Sequence, residues 1–340
     1  MNELELTYSP YRLKFKYPFA TSRQIFKERK GFIIEVSDKA GIKGIGDAAP
    51  FELFGSESYE HTEQQLAEFK LKLELKEDIA KSLKDFLIPY TNFPALRHGV
   101  EQAVLSYICN KTKLKINELL GFDISKEINV NYVIGFYTPK DSAKIAKTAV
   151  NEGFNTIKVK LGREKFADDE AVIKEIRNST GESINLRIDV NGKWNLSEAI
   201  ENLNSLAKYS IQYAEEPVSG LENFISLAGE TSIPLAPDES LRTIEDAKVF
   251  VDSKVVSYLI LKPMMLGGLI STIEIVKLAK KNNITPVITS SLESAIGRVN
   301  AVVAAAVTKS GIAHGIGTAN LFEKDLMDDP YPITNGKIKL

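Results

Sequence analysis

Two periods of apolar and polar positions alternate along the 340-residue chain. Residues 2–17 and 31–47 switch at every second position, as in Phe32-Ile-Ile-Glu-Val-Ser37, and Asp38-Lys-Ala-Gly41 supplies a turn signal between strands. This pattern predicts a small antiparallel sheet. Helical spacing follows at Ser58–Leu75, Ile79–Leu87 and Pro94–Tyr107, so residues 1–122 read as an α+β domain. From Asn129 onward, short apolar runs alternate with amphipathic segments of helix length. The runs lie at 129–135 and near 156, 185, 211, 233, 256, 284 and 312, and the segments between them include Asp168–Arg177, Leu196–Lys208, Thr243–Val251 and Leu269–Lys281. Strand then helix at this spacing predicts an α/β fold, a barrel or a doubly wound sheet, and eight strands are what a closed (β/α) TIM-type barrel needs. That barrel is placed at 123–321, and the polar segment 322–340 is expected to return and complete the first domain.

Charged residues stand where the apolar runs end. In Asn155-Thr-Ile-Lys158-Val-Lys160-Leu-Gly162 two lysines lie two apart, so in a strand both project to one face. Like charge and partial burial both favour loss of a proton, so one lysine is expected to fall from about 10.4 toward neutrality and act as a general base. Acids end the next runs: Asp189-Val-Asn191, then Glu215-Glu216-Pro217, then Asp238-Glu239-Ser240, and the following run closes on Lys262-Pro263. Side chains at the carboxyl ends of barrel strands converge on one mouth. Three carboxylates meeting there repel unless a hard cation joins them. Mg2+ is the first choice and Mn2+ the substitute, because the set offers a few oxygens and no His or Cys.

Composition narrows the classes further. With 44% hydrophobic and 26% charged residues and a net charge of -2, nothing points to a nucleic-acid or membrane partner. The single cysteine, Cys109, lies in an apolar helical pattern and reads as a core thiol. The chain opens without a basic, then apolar, leader and contains no run of about 18 apolar residues, so a cytoplasmic enzyme is expected. A small-molecule carboxylate is the expected partner, and a homo-oligomer is left open. The glycines at Gly44, Gly46 and Gly55 are too loosely spaced for a nucleotide fingerprint. The loops at Phe19–Gln24 and Gly44–Gly55 suit lids beside the mouth.

Lys-x-Lys, Asp-x-Asn, Glu-Glu-Pro, Asp-Glu-Ser and Lys-Pro, in this order, resemble the enolase superfamily in its muconate-lactonizing-enzyme-like subgroup. The resemblance implies a capping domain before the barrel and a divalent metal held by Asp189, Glu215 and Asp238. Asn191, Glu216 and Glu239 then stand behind these ligands. It makes Lys160 the base, Lys158 the neighbour that lowers its pKa and touches the substrate carboxylate, and Lys262 the cation across the cavity. The stretches Ser290-Ser291-Leu-Glu293-Ser294-Ala-Ile-Gly297, Pro237–Arg242 and Thr21-Ser22-Arg23 are similar to those of o-succinylbenzoate synthases. This likeness implies substrate contacts from Arg23, Ser290, Ser291, Glu293, Gly315 and Gly317, and dehydration of a cyclohexadiene carboxylate in menaquinone synthesis. Dipeptide (Ala-Glu) epimerase is the nearest rival, but its members carry Asp-x-Asp where this chain has Gly315-Ile316-Gly317-Thr318. N-succinylamino acid racemisation is a second activity of the same superfamily. Sugar-acid dehydration usually needs a His-Asp pair, and of His61, His98 and His314 only the last is near the mouth, where it reads as structural. Outside the superfamily, a Schiff-base aldolase and an inactive barrel scaffold are the alternatives.

Overall fold

The computed structural model describes residues 4–20, 25–74, 76–318 and 320–340. Three strands form the N-terminal sheet: β1 (Glu5–Ala20), β2 (Ile25–Ser37) and β3 (Lys43–Ala48), with β2 antiparallel between the other two. Alternation drives this sheet, because Phe32, Ile34 and Val36 all turn inward and are fully buried. Helix α1 (Tyr59–Glu68) is capped by Ser58 and α2 (Ile79–Leu87) by Asp78. The long α3 (Pro94–Thr112) lies across the sheet, and the short α4 (Ile116–Leu119) follows it. Gly44 and Gly46 make that approach feasible, since a Cβ on Gly46 would stand 2.0 Å from the Gly99 carbonyl. Gly44 and Gly46, read above as loop residues, are therefore packing residues of β3.

Helix α1 stops at Glu68, seven residues before the predicted end, because the period changes there. Lys70, Lys72 and Glu74 alternate with Phe69, Leu71 and Leu73, which pack on the N-terminal core in a non-helical segment.

The first barrel strand is broken in two. Its lower half, β4 (Glu127–Val130), pairs with the eighth barrel strand and with the C-terminal strand, while its upper half, β5 (Tyr132–Ile134), pairs with β6 (Thr156–Lys160). The sheet continues in parallel through β7 (Asn185–Asp189), β8 (Ile211–Glu215) and β9 (Leu235–Ala236). Two backbone hydrogen bonds carry it on to β10 (Tyr258–Leu261), from Ser257 N to Leu235 O and from Ile260 N to Pro237 O. Next come β11 (Thr285–Ile288) and β12 (Ala313–His314), and β12 closes the ring on β4. Seven helices surround the strands: α5 (Pro139–Asn151), α6 (Phe166–Thr180), α7 (Leu196–Leu206), α8 (Leu221–Ala228), α9 (Ile244–Ser253), α10 (Leu269–Lys281) and α11 (Ala295–Thr308). After β12 the described residues form no eighth helix. Phe322 bridges to Phe15 of the N-terminal sheet, whereas β13 (Lys337–Lys339) pairs antiparallel with β4 of the barrel. Among the described residues no helix is long and apolar enough to cross a membrane.

Candidate active site

Strand register builds the site. Lys160 pairs with Asp189 and Asp189 with Glu215 across β6, β7 and β8, so the three stand level at the carboxyl ends of neighbouring strands. Glu215 pairs in turn with Ala236, and Asp238 follows two residues later on the same side. The side chains interlock. Lys158 Nζ lies 2.8 Å from Glu215 Oε1 and 3.0 Å from Asp189 Oδ2. Lys160 Nζ donates to Asp189 Oδ2 at 2.6 Å and to Asn191 Oδ1 at 3.0 Å, and Asn191 Nδ2 donates to Glu239 Oε1 at 2.9 Å. Lys262 grips both oxygens of Asp238.

The charges of the cluster set one another's protonation. Burial alone would push the Lys158 ammonium toward neutrality, but Glu215 and Asp189 outweigh it and raise this lysine well above its ordinary value. Lys262 is likewise raised: burial opposes it, and Asp238 and Glu239 prevail. Like-charge repulsion does not govern Lys158, because the two neighbouring ammonium groups share Asp189 Oδ2 between them and Lys158 also meets Glu215. The Lys158 ammonium is buried on these two acids. Among the acids, Asp189 is depressed despite its burial, through Lys160 and Lys158. Glu215 goes the other way, raised by burial and by Asp189, and its Oε2 is buried without a hydrogen-bond partner. Glu216 turns away from the cluster, accepting from Asp238 N at 2.8 Å and from the Ser240 hydroxyl, and burial beside Glu239 pushes its carboxyl up to about 8. Its backbone, like that of Asn191, adopts a positive φ, the turn that aims adjacent residues of one strand end in different directions.

Residues 141–340 match the enolase C-terminal domain-like family. The chain belongs to the enolase superfamily. Among its relatives, the D-Ala-D/L-Ala epimerase of Cytophaga hutchinsonii is 29% identical over 332 residues, covering 96% of this chain and 89% of that protein. The o-succinylbenzoate synthase of Desulfotalea psychrophila is 26% identical over 364 residues, with 96% of each chain covered. Among solved structures, the dipeptide epimerase of C. hutchinsonii complexed with Mg and D-Ala-L-Val superposes with a TM-score of 0.86 at 26% identity, covering 100% of this chain and 93% of that one. An enolase-type barrel under an N-terminal capping domain is therefore the architecture, and the doubly wound alternative falls away.

The mouth of this superfamily member carries an oxygen donor set that fits a hard divalent cation. Asp189, Glu215, Asp238 and Glu239 outnumber the three lysines they face, and Glu215 Oε2 and Glu239 Oε2 are both buried and unpartnered. As the side chains stand, each of the first three acids is turned onto an ammonium, and no three His, Cys, Asp or Glu side chains among the described residues are already arranged as a chelate.

Of the remaining predicted contacts, Ser290 bonds the Thr318 hydroxyl at 2.9 Å, and the Ser291 hydroxyl is buried without a partner. Gly315 closes the barrel: its amide donates to Ile288 O at 2.8 Å, and a Cβ there would meet Thr289 Cγ2 at 2.8 Å. Gly317 packs against Val130 and Ile333. Glu293 does not join the lysine and carboxylate cluster. It accepts from Ser291 N and sits beside Asp47 and Arg29 at the domain boundary, where burial pushes it up to about 7. Arg23 lies outside the described residues, as does most of the first lid loop. His314 is structural: Nδ1 accepts from Ile288 N at 2.9 Å, Nε2 faces the Thr308 hydroxyl at 3.2 Å, and burial pushes the ring down to about 3.

Sequence reasoning left Phe54 without a role, yet its ring stands 5.0 Å from Lys262 Nζ. Phe54, Asp238, Glu239, Arg242, Lys262 and Met265 enclose a cavity of about 10 Å3, room for one water. The only sequence signal was an aromatic next to a glycine in a lid-like loop.

Proposed function

We propose that this chain is a dehydratase of the o-succinylbenzoate synthase type, acting in menaquinone synthesis. The observation that carries this reading is the end of β12. Gly315, the buried Ile316, Gly317 and Thr318 offer no acid there, and the hydroxyls of Thr318 and Ser290 bond each other. A dipeptide brings an ammonium group whose desolvation needs a carboxylate at that position. A substrate whose charged groups are carboxylates needs none.

Among the three lysines, the side chain of Lys160 is the most open, 20% exposed against 9% for Lys158 and 11% for Lys262. In its neutral form Lys160 takes the proton from the carbon next to the ring carboxylate. The resulting ammonium gives that proton to the hydroxyl leaving the adjacent carbon on the same face, so water departs and the amine is restored. Mg2+ held by Asp189, Glu215 and Asp238 would supply positive charge where negative charge gathers on the substrate carboxylate. Lys262, held on Asp238, contributes a fixed cation of its own.

The epimerase reading has its own support in the 29% identity to the C. hutchinsonii enzyme over 96% of this chain. One experiment separates the two. Purified protein with Mg2+ is given a hydroxycyclohexadiene carboxylate bearing a succinyl chain, and separately Ala-Glu and Ala-Ala dipeptides in deuterated water. Loss of the diene absorbance without deuterium at the dipeptide α-carbons supports the dehydratase, and the opposite pair of results replaces it with the epimerase.

A further inference from the structure

Barrel helices α5, α7 and α9 cap their own N-termini with Thr138, Asn195 and Thr243. Helices α10 and α11 do not. The N-cap of α10 is Gly268, which has no side chain, and the Leu269 and Ile270 amides instead donate to Glu101 Oε1 of α3, at 2.6 and 3.2 Å. The N-cap of α11 is Ser294, whose hydroxyl turns away from its own helix and donates to Asp47 Oδ2 of β3 at 2.6 Å. The Ser294 amide donates to the same oxygen at 3.0 Å. Both acids belong to the capping domain. The two helices they hold follow the loops that carry Lys262 and the Ser290–Ser294 stretch.

Asp47 is fixed from several directions. It is fully buried, and Tyr11 donates to its other oxygen at 2.8 Å. Gln102 accepts from its backbone amide at 3.0 Å and donates across the boundary to Ile296 O at 2.7 Å. His98 contacts its carbonyl through Nδ1 at 2.9 Å and reaches Asn300 of α11 through Nε2 at 3.1 Å. Glu293 and Gly297 crowd the same place, where a Cβ on Gly297 would come within 2.8 Å of Asp47 Oδ2.

We propose that Asp47 is a positioning residue for the mouth: acting through Ser294, it fixes the loop after β11 and so sets where Ser290 and Ser291 stand toward substrate. The capping domain then supplies part of the barrel's own wall. This rests on reading Ser290 and Ser291 as mouth residues, and it holds whichever carbon-acid reaction the site performs.

Asp47→Asn and Ser294→Ala test it, alone and together. Deuterium exchange of backbone amides needs no substrate and reads the loop directly. Exchange at residues 289–297 should rise in each variant while that of β6, β7 and β8 stays as in the wild type, and the double variant should be no worse than the weaker of the two singles. With whichever carboxylate the wild type turns over, KM should rise about five- to tenfold, the size of one lost cap, with kcat nearly unchanged. Additive effects, exchange spread evenly over the barrel, or an unchanged KM would each overturn the assignment. Should Asp47→Asn fail to fold, Ser294→Ala carries the exchange and KM readings. If the diene substrate is inert but exchange follows the expected pattern, the dehydratase reading falls and this one stands.

Discussion

Glu101 offers a quantitative test of the boundary between the two domains. It is 2% exposed, and burial pushes its carboxyl from 4.5 up to about 7, with the Ile270 and Leu269 amides and Arg97 pulling back only in part. A folded pKa above the unfolded one means that the protonated group stabilises the fold. That contribution is complete below 4.5 and is lost as pH rises through about 7. At about 1.4 kcal/mol per pH unit, the rise amounts to about 3 kcal/mol. Glu101→Gln keeps an oxygen for the Leu269 and Ile270 amides and cannot titrate. Urea unfolding of wild type and variant, at about pH 5 and about pH 8.5, should therefore show a wild-type loss of stability larger than the variant's by about 2.5 kcal/mol, the part of the contribution that remains above 4.5. Glu293 titrates in the same interval but cancels in the difference between the two proteins. Parallel stability curves would refute the reasoning, because the interface would then hold a carboxyl that does not feel its burial.

Three further outcomes are expected. Lys160→Ala should slow exchange of the substrate α-hydrogen with deuterated water by about two to four orders of magnitude, followed by proton NMR. Gly315→Ala should destabilise the protein by about 1–3 kcal/mol in a thermal melt, because its Cβ meets Thr289 Cγ2 at 2.8 Å, and Thr289→Ser in the same chain should recover most of the loss. The His314 ring, pushed down from 6.5 to about 3, adds stability that is complete above 6.5 and lost as pH falls toward 3, so nitrogen NMR at about pH 5 should find it neutral with the proton on Nε2.

Much of this fold could be read from hydrophobic periods, and the misses have physical causes. The helix at Leu269–Lys281 ends where its pattern ends, at Gly268 on one side and Asn282 on the other. At Glu68 a period of 3.6 gives way to one of 2, and a window that spans both merges them. The site was legible as residue types at strand ends, since alternation puts Lys158 and Lys160 on one face. Register was not legible. Only the pairing of Lys160 with Asp189 and Asp189 with Glu215 shows that each ammonium meets an acid, and that turns a predicted repulsion into an interlocked set. Glu293 was misplaced for a related reason: loop spacing shows that a side chain is near the mouth, not which domain it faces.

That interlock bears on how the lysines divide their work. Lys158 is buried against Asp189 and Glu215, and removing it leaves two acids facing each other in a dry site, a loss of about 3–5 kcal/mol when a buried pair is broken. Any fall in activity at that position therefore mixes folding with chemistry. Lys160 is different. Its side chain is 20% exposed, and its two partners have other contacts, since Asp189 keeps Lys158 and Asn191 keeps Glu239. The amine that can leave its partners at least cost to the fold is also the one with room to meet a substrate. A base must release its ion pair to become neutral, and on this ground Lys160 suits proton transfer while Lys158 suits holding the acids in place.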